Sequence, residues 1–149
     1  MSNTEQFIQL DETYLPYMAE LYKKAFGQEP WNDDWSDEHQ LAKYIKEIAN
    51  SYHSLNYGLL INGKLAALSI GMIRHWWEGT NYNIEEFCVS PDIQGQGIGS
   101  RFMKMIEEDV KKEVCVVFFF KQTMTSRHII FIVRMDLMNL NRILVFIKE

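Results

Sequence analysis

Cysteine is scarce: Cys88 and Cys115 are the two in 149 residues, too few for a disulfide framework. Basic clusters are missing. With 15 Lys and Arg against 20 Asp and Glu, net charge −5, nucleic acid is not expected as the main partner. No apolar run reaches the about 18 residues that a membrane helix needs, so no membrane partner is expected. The N-terminus lacks a signal-peptide pattern, since Ser2 to Gln6 is polar and Asp11 and Glu12 follow; a cytoplasmic protein is the expectation. His39, His53, His75 and His128 have no Cys or Asp at ligand spacing, so no metal is expected. Internal repeats and low-complexity segments are absent. Hydrophobic residues make up 47%, which suits one folded domain over residues 1–149 with a real core.

What is present centres on Ile84 to Arg101, IEEFCVSPDIQGQGIGSR. Ile84 to Val89 reads as a strand, closed by Ser90-Pro91-Asp92, because proline cannot continue a ladder and Asp favours a turn. Gln94-Gly95-Gln96-Gly97-Ile98-Gly99 then sets glycines at every second position just before a helical pattern. Without Cβ atoms the backbone N–H groups can close on an oxyanion. A helix N-terminus behind them adds donors and partial positive charge. The loop therefore suits a diphosphate. A dinucleotide-binding GxGxxG does not fit, because the glycines here read GxGxG.

Along the chain, Phe7 to Leu10 is a candidate first strand. Asp11 or Glu12 opens a helix with Leu15, Met18, Tyr22 and Ala25 at helical spacing, Pro16 in its first turn, and an end near Gly27. Gln28 to Trp35 follows, QEPWNDDW. It is either a surface loop pinned by Trp31 and Trp35 or the acidic, aromatic wall of an amine site. Ser36, helped by Glu38, is expected to cap the second helix, marked by Leu41, Tyr44, Ile45 and Ile48 and ending near Asn50. Tyr57 to Ile61 and Leu65 to Ile73 flank Asn62-Gly63, a strong hairpin signal. The third strand can run on to Trp76, with Glu78 to Asn81 turning it into the fourth. Trp76 and Trp77 are read as packing at that hairpin end. Phe102, Met103, Ile106 and Val110 mark a helix after the glycine loop, and Val114 to Phe120 is an unbroken apolar strand.

The string V-x-P-x-x-Q-G-x-G-x-G, with Glu85 and Glu86 ahead of it, resembles the acyl-CoA-binding motif Q/R-x-x-G-x-G/A of the GNAT superfamily of N-acetyltransferases, here Gln94, Gly97 and Gly99. The element order matches that family's core through Phe120, an α/β fold with a mixed central sheet and helices on both faces. The resemblance implies acetyl-CoA as co-substrate and a primary amine as acceptor. Glu85 maps to the carboxylate that helps to deprotonate the amine. The backbone N–H of Phe87 would face the thioester oxygen, and Phe87, Cys88 and Val89 would pair with the pantetheine arm. Gly95, Gln96, Gly97, Ile98, Gly99 and Ser100 would hold the diphosphate, with Gln94 at a position where Arg is commoner. Glu29, Trp31 and Glu86 are the candidate substrate contacts. Together with Asp33, Asp34, Asp37, Glu38 and Glu85 they favour a small cationic amine. A protein N-terminus or lysine is the alternative acceptor, and a catalytically impaired acyl-CoA-binding domain the alternative class.

The resemblance breaks in the tail. The family carries A-x-x-F-Y-x-x-x-G-F there, its Tyr donating the proton to the leaving thiolate, whereas residues 121–149 contain no tyrosine. Joining the third base of each codon to the first two of the next allows Arg127 to Leu137 to be reread as AYHFYRKNGF. Met135 followed by Asp136 forces the glycine. A frame slip between about Glu113 and Phe119 is therefore expected, making the C-terminal segment atypical. Ile129, Ile132, Val133, Leu137 and Leu140 nonetheless sit near helical spacing, and Ile143 to Ile147 reads as a strand. A helix and a strand are expected there, packed in place or exchanged with a neighbouring chain, so a homodimer is allowed for.

Overall fold

The computed structural model describes residues 3–29, 31–77, 79–93, 95–111, 116–120, 130–136 and 142–147, with only the backbone described at 76, 79 and beyond 111. Its strands form one seven-stranded sheet in sequence order. They are β1 (Glu5–Gln9), β2 (Ser54–Ile61), β3 (Lys64–Trp76), β4 (Gly79–Val89), β5 (Val116–Phe120), β6 (Ile130–Asp136) and β7 (Arg142–Ile147). Neighbours are antiparallel except β4 and β5, which are parallel. A parallel pair needs a crossover rather than a tight turn, and α3 (Ile98–Val110) provides it. This is the mixed sheet expected from the sequence.

Helices lie on both faces. α1 (Leu15–Phe26) and α2 (Glu38–Ala49) bury Met18, Tyr22, Phe26, Leu41 and Ile45 against Leu68, Ile70 and Cys88. α3 buries Phe102, Met103, Ile106 and Val110 against Tyr57, Leu59, Ala67, Tyr82 and Ile84 on the other face. Ala67 and Leu68 thus serve opposite cores, as the two-residue period of a strand requires. Tyr57 also donates a 2.6 Å hydrogen bond to Asp109 Oδ2, tying β2 to α3.

The Asn62-Gly63 turn forms as expected, with φ of 52° and 79°. Other expectations change. The first helical turn is 3-10 over Glu12–Tyr14, capped by Asp11, whose Oδ1 accepts from Thr13 N at 2.9 Å. The cap of α2 is Asp37 rather than Ser36. Its carboxylate accepts from the amides of His39 and Gln40, each at 3.1 Å, which is the reach of an N-cap side chain. The Ser36 amide instead donates to Asp34. Pairing of β3 with β4 runs to Trp76↔Gly79, so Gly79 to Asn81 are strand and not turn. Trp77 does not pack there; it is 82% exposed. The strand expected over Val114 to Phe120 forms as β5 over Val116–Phe120, and Val114 and Cys115 lie outside the described residues.

Residues 130–136 form β6 and not a helix. The sequence HIIFIV is β-branched and aromatic, which favours a pleated strand, and β5 offers an edge that pairs from Val116↔Asp136 to Phe120↔Ile132. The strand expected at Ile143 to Ile147 forms as β7. Among the described residues no helix is long and apolar enough to cross a membrane.

Candidate active site

Strand β4 ends where Ser90 N donates to Ala66 O at 2.8 Å, and a 3-10 turn over Pro91–Ile93 follows. Gly95 and Gly97 both adopt left-handed φ, +84° and +76°, and a Cβ built on either would meet nothing within 4 Å. On that side both glycines face open space. Gly97 is the N-cap of α3, and among the described residues no side chain caps that helix, so its first-turn amides have no side-chain acceptor among them. Gly99 serves differently. A Cβ there would lie 3.5 Å from Val89 Cγ2 and 3.9 Å from Phe87 Cε1, an ordinary contact between the helix and β4. Arg101 braces the loop from within, Nη1 donating to the Gln96 carbonyl at 3.4 Å while Nη2 pairs with Glu5 on β1. Gly95, Gln96, Gly97 and Ser100 are exposed, and the Ile98 side chain is buried in the α3 core. Gln94 lies outside the described residues.

Among the described residues, the parallel pairing covers the first part of β4. Pairing with β5 extends from Asn81↔Val116 to Ile84↔Phe119, whereas β4 continues to Val89. Along its other edge β4 pairs with β3 as far as Ala67↔Val89, with one irregularity: Ile70 faces Glu86 and Gly71 faces Ile84. Glu85 is therefore the extra residue of a β-bulge. The bulge resets the alternation. Ile84 and Phe87, three apart, both join the α3-side core, while Cys88 joins the core under α1 and α2. Gly71, opposite the bulge, has no room for a side chain, since a Cβ would sit 2.5 Å from the Asn83 carbonyl oxygen and 2.7 Å from the Tyr82 ring.

The bulge separates the two adjacent carboxylates. Glu85 is exposed. Its carboxyl is held above the ordinary carboxylate value, first by partial burial and then by the charge of Glu86, with Arg74 opposing. Glu86 is buried, at 8% exposure. Its Oε1 accepts from the Tyr44 hydroxyl at 2.8 Å and from the Tyr22 hydroxyl at 3.3 Å. Both phenols are pushed well above their usual range, chiefly by burial and then by the Glu86 charge. Trp35 stacks on Tyr44 at 5.6 Å and meets Tyr22 edge-on at 5.8 Å.

The predicted substrate residues are not brought together as one wall. Glu29 is exposed on the loop between α1 and α2. Trp31 turns inward, edge-on to Phe26 at 5.0 Å, and Glu86 lies in the interior. Asp37 is occupied as a cap and Glu38 pairs with Lys23. Asp33, Asp34 and Trp35 line an open groove of about 1040 Å³ between α1 and α2; a second, about 720 Å³, lies between α1 and the β2–β3 hairpin. Neither groove is lined by Glu85. Tyr22, Tyr44 and Gly71 are site-forming residues that the sequence does not reveal: the tyrosines read as core at helical spacing, and only their hydroxyls hint at a buried acceptor. Among the described residues no group of three or more His, Cys, Asp or Glu is placed to hold a metal.

Residues 15–128 match the model of the acetyltransferase (GNAT) family. No curated protein matches the chain by sequence. Among solved structures, the ribosomal-protein-S18-alanine N-acetyltransferase from Escherichia coli superposes with a TM-score of 0.64 at 21% identity, over 83% of this chain and 70% of its own. A possible acetyltransferase from Clostridium difficile 630 gives 0.67 at 12% identity, over 83% of each chain. The aminoglycoside N-acetyltransferase AAC(6')-Iy in complex with CoA gives 0.59 at 15% identity, over 85% and 82%. At these identities the likeness is one of fold.

Proposed function

From the premise that the chain belongs to the acetyltransferase (GNAT) family, we propose that it is an N-acetyltransferase, moving an acetyl group from acetyl-CoA to a primary amine. The carrying observation is the loop of Gly95 and Gly97, open on its Cβ side and continuous with the uncapped N-terminus of α3. A diphosphate suits that cradle in shape and charge, because backbone amides and the helix N-terminus favour anions. A Cβ at either glycine would enter the same space, so the residues present fit the co-substrate. Acetyl-CoA supplies the activated acyl group. The chain's own part is to hold and orient it and to manage protons. The end of β4 beside the glycine loop would run along the co-substrate's extended arm. Phe87, Cys88 and Val89 are the residues concerned.

Transfer requires a neutral amine, since an ammonium has no lone pair. Glu85, exposed at the bulge, takes the amine's proton, directly or through water. The amine nitrogen would bond to the thioester carbon as the C–S bond breaks, with the Phe87 amide the group that would face the carbonyl oxygen. Nitrogen would shed its second proton and the thiolate would gain one, so the proton count closes.

The acceptor is a small cationic amine, a reading supported by Glu29, Asp33 and Asp34 exposed on one loop and Glu85 on β4. A protein N-terminus is the nearest alternative. A second reading has its own observation: residues 121–149 hold no tyrosine, so a domain that binds acyl-CoA and turns over slowly is favoured for the chain as it stands, through a frame slip upstream of the tail. Sequencing the gene across the codons for about Glu113 to Phe119 tests the slip, and an in-frame gene with no nearby insertion or deletion ends that idea. Calorimetry with CoA tests the cofactor, and thiol release over polyamines, aminoglycosides and peptides tests the acceptor. A well-folded chain that ignores acyl-CoA at millimolar concentration overturns the whole assignment.

A further inference from the structure

Glu86 has a role that capping, ion pairing and acceptor binding leave unassigned. It is buried on β4, two helices send a phenol to the same oxygen, and Trp35 closes over both rings. The carboxylate sits one residue from the bulge, so this three-element tie fixes β4 where the chain turns Glu85 outward. We propose that Glu86 is a positioning residue, a buried charge held by Tyr22 and Tyr44 that orients Glu85 and governs the pH at which Glu85 can take a proton. The inference rests on the reading of Glu85 as the base.

Geometry and charge act together here. A surface Glu beside a solvated neighbour would feel little of it, because water screens exposed charges. Glu86 is desolvated, so its charge is screened less and opposes ionisation of the adjacent carboxyl. Glu86 raises the affinity of Glu85 for a proton, Arg74 on β3 lowers it, and Tyr44 on α2 stays protonated. Tyr22 on α1 likewise stays protonated. Loss of the Glu86 charge therefore removes one of the two effects that oppose Arg74 and leaves partial burial as the other.

The test is a carboxyl-carbon NMR titration of the full chain labelled at glutamate, with Glu85→Gln used to assign the Glu85 signal. Glu86→Gln keeps an oxygen for both phenols and removes the charge, and is expected to move the Glu85 midpoint to lower pH. Tyr44→Phe removes a hydrogen bond but not the charge, and should leave the midpoint nearer the wild-type value. An equal displacement in both variants would mean that packing alone is at work and would overturn the proposal. Should Glu86→Gln fail to fold, the unsubstituted chain still decides: the Glu86 signal must carry an inflection at the Glu85 midpoint, and its absence overturns the proposal. Failure of the underlying reading looks different. The coupling then stands, but Glu85→Gln leaves the thiol-release rate unchanged at every pH.

Discussion

Replacing Gly97 by alanine tests the cradle most directly. The residue sits at φ +76° as the cap of α3, and an L side chain in the left-handed region costs about 1–2 kcal/mol. Its Cβ has no neighbour within 4 Å, so the native fold can accept the methyl group. The cost has two outlets. Either the loop keeps its shape and the methyl group projects into the anion's space, or the loop relaxes and turns its amides away. Each outlet forfeits at least one hydrogen bond to a charged oxygen, worth about 1.5–3 kcal/mol. At 1.4 kcal/mol per tenfold, the CoA dissociation constant should rise about 10- to 150-fold, read by calorimetry. Gly97→Trp, which fills the cradle, should abolish binding. Gly99→Ala is the control, because its Cβ would make an ordinary 3.5 Å contact with Val89 and face no left-handed strain. Wild-type affinity in Gly97→Ala, or an equal loss in Gly99→Ala, refutes the placement of the diphosphate on this loop.

Gly71→Ala, whose Cβ would lie 2.5 Å from the Asn83 carbonyl, should destabilise the fold by about 1–3 kcal/mol in denaturant unfolding; an unchanged midpoint would show that the bulge can shift at no cost. Asp37→Ala removes the acceptor for two amides of α2 and should cost about 0.5–2 kcal/mol in the same assay. Glu85→Gln should slow thiol release by about 10²–10⁴-fold. In the wild type the rate should fall as pH drops through the raised Glu85 midpoint, because only the deprotonated carboxyl accepts a proton; a pH profile identical in both proteins removes Glu85 from the chemistry. Restoring the frame that encodes AYHFYRKNGF should raise turnover while leaving CoA affinity nearly unchanged, and equal turnover in both versions shows that the tail does not act in catalysis.

The legible parts of the chain were those set by local chemistry. Asn62-Gly63 dictated its hairpin because both residues accept positive φ, and the spacing of Phe102, Ile106 and Val110 dictated the buried face of α3. The glycine loop was readable because few sequences need alternate glycines before a helix. Where two polar residues competed for one task, the sequence was ambiguous: Ser36 and Asp37 both suit an N-cap, and the longer reach of the carboxylate prevailed. The bulge was not readable at all. Period-two reading from Glu85 groups Glu85 with Phe87 and Val89, and it correctly opposes Phe87 to Cys88. It cannot reveal that Glu85 is the unmatched residue, because that depends on the register with β3 and on Gly71. The tie of Glu86 to Tyr22 and Tyr44 joins residues 64 and 42 positions apart, beyond any local pattern.

The tail shows why fold and chemistry part company. A strand edge recruits a neighbour through backbone N–H and C=O groups, which every residue but proline carries. No proline occurs in residues 121–149, and Ile, Val and Phe suit a pleated surface. A segment translated from a slipped frame can therefore extend the sheet as β6 and β7, because the ladder asks only for composition. Proton donation asks for one side chain at one place. The reread frame offers a tyrosine within FYRKNGF, while the translated frame puts Ile, Val and Arg there. On the proposed reading the tail keeps the sheet and lacks the acid, so CoA binding, which that reading assigns to residues before Lys111, should survive where turnover does not.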